Sequence, residues 1–590
     1  MNNTTNESIK TTFWPIENIN HLWSSLVIDE LVKQKITQFY IAPGMRNAPL
    51  IAALLYAKNA KLADFEIVVD ERAMAYRALG YSKASGKPSV VICTSGTALA
   101  NFLPAVIEAQ KSQIPLIVLS ADRPPELINS DDNQTIEQTF FYRPWVKHDL
   151  NLGAPCEEIS PRALATSVAQ TVFRSLFPVN GPVHINMMFR EPLGYVSTRI
   201  SENYIAETKK ILQSKQNATN YQIPNLLLNS EALTEITNDI NKSKRGLLVI
   251  GALPNTIDKN LLQTFIAKCN FSFFLEVGSS LKYLYTLNDF GIPTFDHPEV
   301  QETLKNDPPD LIIHLGGRLT SKFYYQFLSN NPELNLYVLN ATEEKEDPTH
   351  TVKKRFVIDL NSTIKQLNQN ISSEKNRYWK FNLEEFTKKK IQFLEKAPLS
   401  FPVISKTIID HMPDSLQFYL GNSTAIRTFD SYFSFDVKKN YQIYTNRGVS
   451  GIEGFIASSL GVIDATQKDV YLVFGDISFI HDFNSLFMLT EKTKAFVKII
   501  LINNGGGAIF TLLPINKDKD ILNVITSPHH FTFKATKELN PHVHYDHVND
   551  RVHLKTKLQE LALHNGHMIL EIELKDEDNL KVYDELKTIR

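Results

Sequence analysis

The sequence predicts an α/β protein made of three successive parallel-sheet units. Three observations carry that expectation. Apolar runs of strand length alternate with helical runs along most of the chain, the pattern of a parallel sheet. At 590 residues the chain is too long for a single hydrophobic core. Two polar stretches, 199–222 and 374–398, divide the alternation into three parts. The first reads as an irregular linker, the second as a solvated Lys/Glu-rich helix with a linker.

Composition narrows the function classes. Hydrophobic residues make up 43% and charged residues 21% of the chain, an ordinary globular balance. Lys and Arg number 62 against 64 Asp and Glu, a net charge of −2, so no electrostatic argument favours nucleic acid or an anionic membrane. Cys93, Cys156 and Cys269 are few and widely spaced, forming neither a disulfide framework nor a zinc site. The first twenty residues lack the basic-then-apolar pattern of a signal peptide, and no apolar run approaches membrane-spanning length. A cytoplasmic location is expected.

In the first unit, helix Ile19–Lys33 leads to strand Ile36–Ala42. Helix Ala48–Ala60 then leads to strand Phe65–Val69, helix Glu71–Ser85 to strand Ser89–Cys93, and helix Thr97–Lys111 to strand Ile114–Ser120. Four strand-end loops therefore converge on one rim: 43–47 (PGMRN), 70–72 (DER), 94–97 (TSGT) and 121–126 (ADRPPE). Glu71 is the acid of interest, although a carboxylate at a helix start also serves the helix dipole. The stretch 80–87 (GYSKASGK) imitates a phosphate loop. Its glycine spacing is one residue too long and it follows a helix, so it reads as a helix stop at Gly86.

The second unit has strand-like runs Gly246–Ile250, Phe273–Val277, Asp310–Leu315 and Leu336–Leu339. No GxGxxG follows the first of them, so nothing supports a dinucleotide site. Its one suggestive loop is 316–322 (GGRLTSK), ending in Lys322. In the third unit, strand Leu416–Leu420 ends at 421–423 (GNS), and the following helix carries Arg427. Strand Gln442–Thr445 ends at 446–448 (NRG), and 450–454 (SGIEG) opens the next helix.

The stretch 470–510 concentrates the chemistry. A buried strand Val470–Phe474 ends in Gly475-Asp476, a helix follows over about His481–Glu491, and strand Phe496–Ile502 ends in 503–507 (NNGGG). A βαβ unit sets both strand ends on one edge of the sheet. An aspartate, an asparagine amide and flexible glycine backbone there suit a small hard cation: Asp476, Asn504 and the Gly506 carbonyl could hold Mg2+ beside a diphosphate. Ile509 and Phe510 lie just past the glycines, where they could face a pocket. Near the end, 542–547 (HVHYDH) matches a two-metal hydrolase motif. The simpler reading is a polar loop before the last strand, His567–Leu574.

Together these motifs resemble a known group. PGMRNAPL (43–50), DERAMAYRALG (70–80), TSGTALAN (94–101), ADRPPELI (121–128), NQTIEQ (133–138), GNSTAIR (421–427), NRGVSGIEG (446–454), GDIS (475–478) and NNGGGAIFTLLP (503–514) are similar, in order, to the MenD family of thiamine diphosphate enzymes. ADRPPEL and NRGxSGI are distinctive to it. The resemblance implies a pyrimidine-binding domain over 1–198, a central domain over 199–375 and a diphosphate-binding domain over 376–590. It implies decarboxylation of 2-oxoglutarate on thiamine diphosphate and conjugate addition of the product to isochorismate, in menaquinone biosynthesis. A homodimer or dimer of dimers is implied, with each site completed by a second subunit.

The resemblance also assigns roles. Glu71 would bond N1′ of the aminopyrimidine, and Ile452 would hold the cofactor bent. Gly475, Asp476, Ser478, Asn504, Gly506 and Ile509 would line the cofactor, with Asp476, Asn504 and Gly506 on Mg2+ or Mn2+. Arg46, Asn47, Arg123, Asn133, Gln134, Lys322, Ser423, Arg427, Arg447, Ile509 and Phe510 would meet the substrates, and Arg46, Arg427 and Arg447 would also act in catalysis. Both substrates are dicarboxylates, which suits arginine's bidentate fork. Met45 stands where the family often has Ser, so one hydroxyl contact is missing. A plain 2-oxoacid decarboxylase or carboligase, the metal-dependent hydrolase and an inactive relative are the competing readings.

Overall fold

The computed structural model describes residues 13–285, 291–372, 383–431, 438–491 and 493–589. It contains three six-stranded sheets in which every strand pair is parallel. The chain forms two compact units, one built mainly on residues 1–223 and the other mainly on 224–590, with 447–449 and 460–466 belonging to the first.

The first sheet comprises β1 (Gln38–Ile41), β2 (Asp64–Ile67), β3 (Ser89–Cys93), β4 (Leu116–Asp122), β5 (Asp149–Asn151) and β6 (Pro182–Met188), in the order β2-β1-β3-β4-β6-β5. Helix Ile19–Lys33 is nearly all buried, as its apolar surface on several sides requires. Asn18 caps it by accepting the His21 N–H. Helix Glu71–Ser85 starts on the Asp70 side chain, which accepts the Ala73 N–H, and stops at Gly86 in the left-handed region. The alternation read from sequence ends at residue 120, yet helix Pro161–Leu176 and strands β5 and β6 extend the sheet.

Two expectations in this region are corrected. The helix expected over 97–111 is two, Thr97–Ala100 and Leu103–Lys111, with Pro104 suited only to the first turn of the second. The linker expected over 199–222 contains helix Glu202–Gln213. Ser201 caps it, and its Tyr204 is buried, accepting the Trp23 Nε1–H. Most of the helix is exposed, which is why it read as irregular polar sequence.

The middle sheet comprises β7 (Gly246–Ile250), β8 (Ser272–Leu275), β9 (Gly291–Ile292), β10 (Leu311–Leu315), β11 (Leu336–Asn340) and β12 (Val352–Val357), ordered β12-β11-β10-β7-β8-β9. That is the strand order of dinucleotide-binding sheets, even though the fingerprint is absent. Its switch point is pinched shut. A Cβ on Gly251 would lie 1.9 Å from the Gly317 carbonyl oxygen, and the Gly317 N–H bonds the Ala252 carbonyl at 2.9 Å.

The third sheet comprises β13 (Gln417–Leu420), β14 (Gln442–Thr445), β15 (Val470–Gly475), β16 (Val497–Asn503), β17 (Val543–Val548) and β18 (His567–Glu573), ordered β14-β13-β15-β16-β18-β17. This repeats the first sheet's order. The helix expected over 481–491 is instead a short helix Asp476–His481 followed by a 3-10 turn, Phe483–Met488. Asp482 makes the break, its carboxylate accepting the Ile456 N–H and the Ser485 hydroxyl. The polar loop expected over 542–547 is the edge strand β17. Its polar groups have structural partners: Asp546 pairs with Lys557 at 2.9 Å, and His547 with Glu573 at 3.0 Å. The Lys/Glu-rich stretch yields helix Leu383–Leu394, and its earlier part, 374–382, lies outside the described residues.

Candidate functional site

The first and third sheets reverse their strand order between the first and third strands of each, and ligands bind such sheets outside the carboxyl ends at that point. The loops singled out from sequence, 43–47 and 94–97 in one sheet and 421–423 and 475–478 in the other, leave those very strands.

On the third sheet, β15 and β16 run in register to Gly475–Ile502, which sets Asp476 beside Asn504. The buried Asp476 carboxylate accepts the Asn504 and Gly506 N–H groups at 3.0 Å each on one oxygen, and the Ile477 N–H at 2.6 Å on the other. Burial pushes this carboxyl above its usual range, against the lowering by those N–H donors and by His529. Asn504 Nδ2 donates to the Gly506 carbonyl at 2.8 Å, so the three expected metal ligands form one cluster. Gly506 has φ 144°, and a Cβ there would meet the Thr526 carbonyl at 2.6 Å, so only glycine fits.

This cluster fits a Mg–diphosphate. All its offered donors are oxygens, as a hard cation prefers. A Cβ on Gly475 would find no protein atom nearer than 4.0 Å, so the glycine leaves open space at the strand end. Buried His529 Nε2 sits 3.4 Å from Asp476 and has no hydrogen-bond partner among the described residues. Ser478 is half-buried in the short helix. Among the described residues no three His, Cys, Asp or Glu side chains are grouped to hold a metal on their own.

Sequence reasoning missed three residues here. Asn422 donates to the Asn446 carbonyl at 2.8 Å and the Gly451 carbonyl at 2.7 Å, tying the loops after β13 and β14 together. His529 and Asp576, the latter 3.3 Å from Asn504 Nδ2, reach the cluster from distant segments with no local motif. Around them, Ser423 takes φ 63° and its carbonyl accepts from Arg427, both being half-buried. Ile452 is 38% exposed, and Ile509 and Phe510 are half-buried in the 3-10 turn Ala508–Leu512. Lys322 stands exposed at the start of helix Lys322–Asn330, on the middle sheet.

On the first sheet, Glu71 begins its helix half-buried, and Asn101 Nδ2 donates to it at 3.1 Å. Arg46 is buried, donating to the Phe189 carbonyl at 2.8 Å, while its Nε has no hydrogen-bond partner among the described residues. Burial, then the Arg123 charge, lower its pKa from the ordinary arginine value. Arg123 donates to the Ser95 hydroxyl and, at 2.7 Å, to the Asn133 carbonyl. Asn133 thus contributes its backbone, and its side chain is exposed. Gln134 donates to the Ser95 carbonyl at 3.1 Å. Asn47 is fully buried and uses its amide within its own loop, bonding the Ala42 carbonyl and the Gly44 N–H. Met45 is 71% exposed. Arg447 is half-buried and belongs to this compact unit.

Beneath this rim lies a buried polar network that local patterns could not reveal. Asn186 Nδ2 donates to Asp122 at 2.9 Å, and Asp122 accepts the Arg123 N–H at 2.7 Å. Ser120 donates to Asn186 and lies 2.8 Å from His184 Nε2. Gln138 accepts the Gly96 N–H and donates to the Ala121 carbonyl. The network fixes the two loops that hold Arg123.

Comparison with known proteins bears on the fold and the family. Residues 23–141 match the thiamine pyrophosphate enzyme N-terminal TPP binding domain, and 202–417 match the middle domain of thiamine pyrophosphate enzymes. Benzoylformate decarboxylase from Polynucleobacter necessarius shares the fold at TM-score 0.68 and 16% identity, over 94% of this chain and 98% of that one. The fold and the matched domains are those of a thiamine diphosphate enzyme. Within that class, the 2-succinyl-5-enolpyruvyl-6-hydroxy-3-cyclohexene-1-carboxylate synthase of Syntrophus aciditrophicus (strain SB) is 38% identical over 88% of this chain and 89% of its own length. The synthase of Chlorobium phaeobacteroides (strain BS1) is 31% identical over 96% of both. The chain belongs to this synthase family.

Proposed function

We infer that this chain decarboxylates 2-oxoglutarate with thiamine diphosphate and a divalent cation, and adds the remaining four-carbon unit to isochorismate. The product is 2-succinyl-5-enolpyruvyl-6-hydroxy-3-cyclohexene-1-carboxylate, on the route to menaquinone. Full-length similarity to synthases of that name supports the activity. The structural observation that carries it is Asp476 gathering Asn504 and Gly506 at the third sheet's switch point.

Asp476, Asn504 and the Gly506 carbonyl would hold Mg2+ or Mn2+, and Gly475, Ser478, Ile452 and Ile509 would line the cofactor. Bound thiamine diphosphate supplies the electron sink for decarboxylation and carbon–carbon bond formation. Glu71 would hold a proton at N1′ of the aminopyrimidine. Arg46, Arg123, Arg427 and Arg447, with Lys322, would bind the substrates' carboxylates, each charged bond contributing roughly 1.5–3 kcal/mol. Asn47, Asn133, Gln134 and Ser423 add neutral polar groups, and Ile509 and Phe510 an apolar wall that excludes water.

In this reading the domains span 1–198, 199–375 and 376–590, and Glu71 of one copy serves the diphosphate site of another, so the enzyme works as a homo-oligomer. Among the described residues no helix is long and apolar enough to cross a membrane, which is compatible with work in the cytoplasm. The test is CO2 release from 2-oxoglutarate with thiamine diphosphate and Mg2+, with and without isochorismate. Isochorismate-dependent turnover to a succinylated cyclohexene is expected. Equal release without isochorismate would make the chain a plain decarboxylase.

A further inference from the structure

One buried carboxylate of the first compact unit lies outside the site described so far. Glu108, on helix Leu103–Lys111, is 1% exposed. Its Oε1 accepts the Gly448 N–H and its Oε2 the Val449 N–H, both at 2.9 Å. The Ser112 hydroxyl donates to Oε1 at 2.7 Å. One carboxylate therefore grips two successive peptide N–H groups immediately after Arg447.

Backbone geometry gives that grip a direct consequence. The Gly448 N–H belongs to the same planar peptide unit as the Arg447 carbonyl carbon and Cα. Fixing that plane and the next leaves Arg447 little backbone freedom from which to swing its long side chain. The close approach also explains the glycine. A Cβ on Gly448 would lie 2.8 Å from Ser112 Oγ, 2.9 Å from Glu108 Oε2 and 2.9 Å from Lys111 Cβ.

We propose that Glu108 is a positioning residue for Arg447: its buried carboxylate fixes the 447–449 loop and so sets where the guanidinium meets a substrate carboxylate. The proposal rests on the reading of Arg447 as a substrate-binding residue.

The experiment is steady-state kinetics of the full-length holoenzyme bearing Glu108→Ala, Glu108→Gln, Gly448→Ala and Arg447→Ala, with Glu108→Ala also placed in the Arg447→Ala background. Glu108→Ala raises the KM for one dicarboxylate substrate about ten-fold, with thiamine diphosphate affinity unchanged. Glu108→Gln, which keeps one acceptor oxygen, recovers part of that loss. Gly448→Ala reproduces it with the carboxylate intact. In the Arg447→Ala background, Glu108→Ala adds no further rise in KM, because the two residues act as one unit.

A lowered melting temperature with unchanged KM would overturn the proposal, leaving Glu108 merely structural. Additive effects in the double variant would overturn it too. If Arg447→Ala leaves both KM values untouched, the assignment of Arg447 fails instead, a result separable from failure at Glu108. Should Glu108→Ala not fold, the Gln and Gly448 variants decide the matter by the same KM readout.

Discussion

The first and third sheets have the same strand order, 2-1-3-4-6-5 in their own numbering, and opposite chemistry at their rims. On the first, Arg46 and Arg123 are held largely by neutral oxygens: a main-chain carbonyl each, and the Ser95 hydroxyl. The acids near them are weakly engaged, Glu191 at 3.6 Å from Arg46 and Asp132 at 3.4 Å from Arg123. On the third, Asp476 is held by three main-chain N–H groups. Arg46 and Arg123 are the buried charges on the first rim and Asp476 the buried charge on the third, although Glu71 stands on the first and Arg427 on the third. Topology puts both sets of loops at the carboxyl ends of the strands; residue type sets the charge that each buried group carries there.

The largest effect expected from breaking this contrast is at the acid on the basic rim. Glu71→Gln should lower turnover about 10²–10⁴-fold, the range for a lost proton-transfer group. Steady-state kinetics at saturating cofactor checks this, and an unchanged rate would remove Glu71 from the mechanism. On the acidic rim, Asp476→Ala should weaken Mg2+ and diphosphate binding by more than the roughly 10–100-fold that even an outer partner of a metal ligand is worth. Isothermal titration with thiamine diphosphate reads it without any turnover.

Smaller effects sharpen the comparison. Arg123→Ala and Arg427→Ala should each raise a dicarboxylate KM about 10–100-fold, corresponding to one charged hydrogen bond. Cofactor affinity should hold. Loss of cofactor binding instead would move these arginines out of the substrate site.

The two compact units also differ in how buried groups respond to pH. In the second, burial lowers His297, His314 and His567 to about 4. His297 and His567 each accept a backbone N–H on a ring nitrogen, so protonating that nitrogen breaks a bond. These groups stay neutral when folded but protonate near 6.5 when unfolded. The stability they support is therefore present above about 6.5 and lost as pH falls toward about 4. Asp296, raised by burial to about 6, opposes part of that loss. In the first unit, burial raises Asp29 to about 7 despite its Lys33 partner, so its contribution improves as pH falls from about 7 toward 3.8. Hydrogen exchange at pH 7 and pH 5 should show protection falling more in the second unit than in the first. Equal losses would contradict the assignment.

How much was legible in sequence follows from the range of each interaction. Strands such as Ser89–Cys93 and Gln442–Thr445, and helices Ile19–Lys33 and Glu71–Ser85, were readable to the residue. Their signals are local: apolar runs, an Asx cap, a stopping glycine. Helix Glu202–Gln213 was missed because what anchors it, Tyr204 on Trp23, lies far away in sequence. Strand β17 was missed because an edge strand with polar faces carries little apolar pattern.

The site divides the same way. Asp476, Asn504 and the glycines could be read because one βαβ unit brings them together, and a crossover of that kind has only one common hand. The sequence by itself determined the α/β class, the strand-end loops that gather Asp476, Asn504 and Gly506, and the family. Only the tertiary structure decided which groups hold those residues in place: His529 and Asp576 beside the Asp476 cluster, Gln138 and Asn186 beneath Arg123, and Glu108 under the loop after Arg447. The structure also closed the middle sheet's switch point with Gly251 against Gly317. A strand end is written in the composition of a few neighbouring residues. A hydrogen bond across hundreds of residues is written nowhere until the chain has packed.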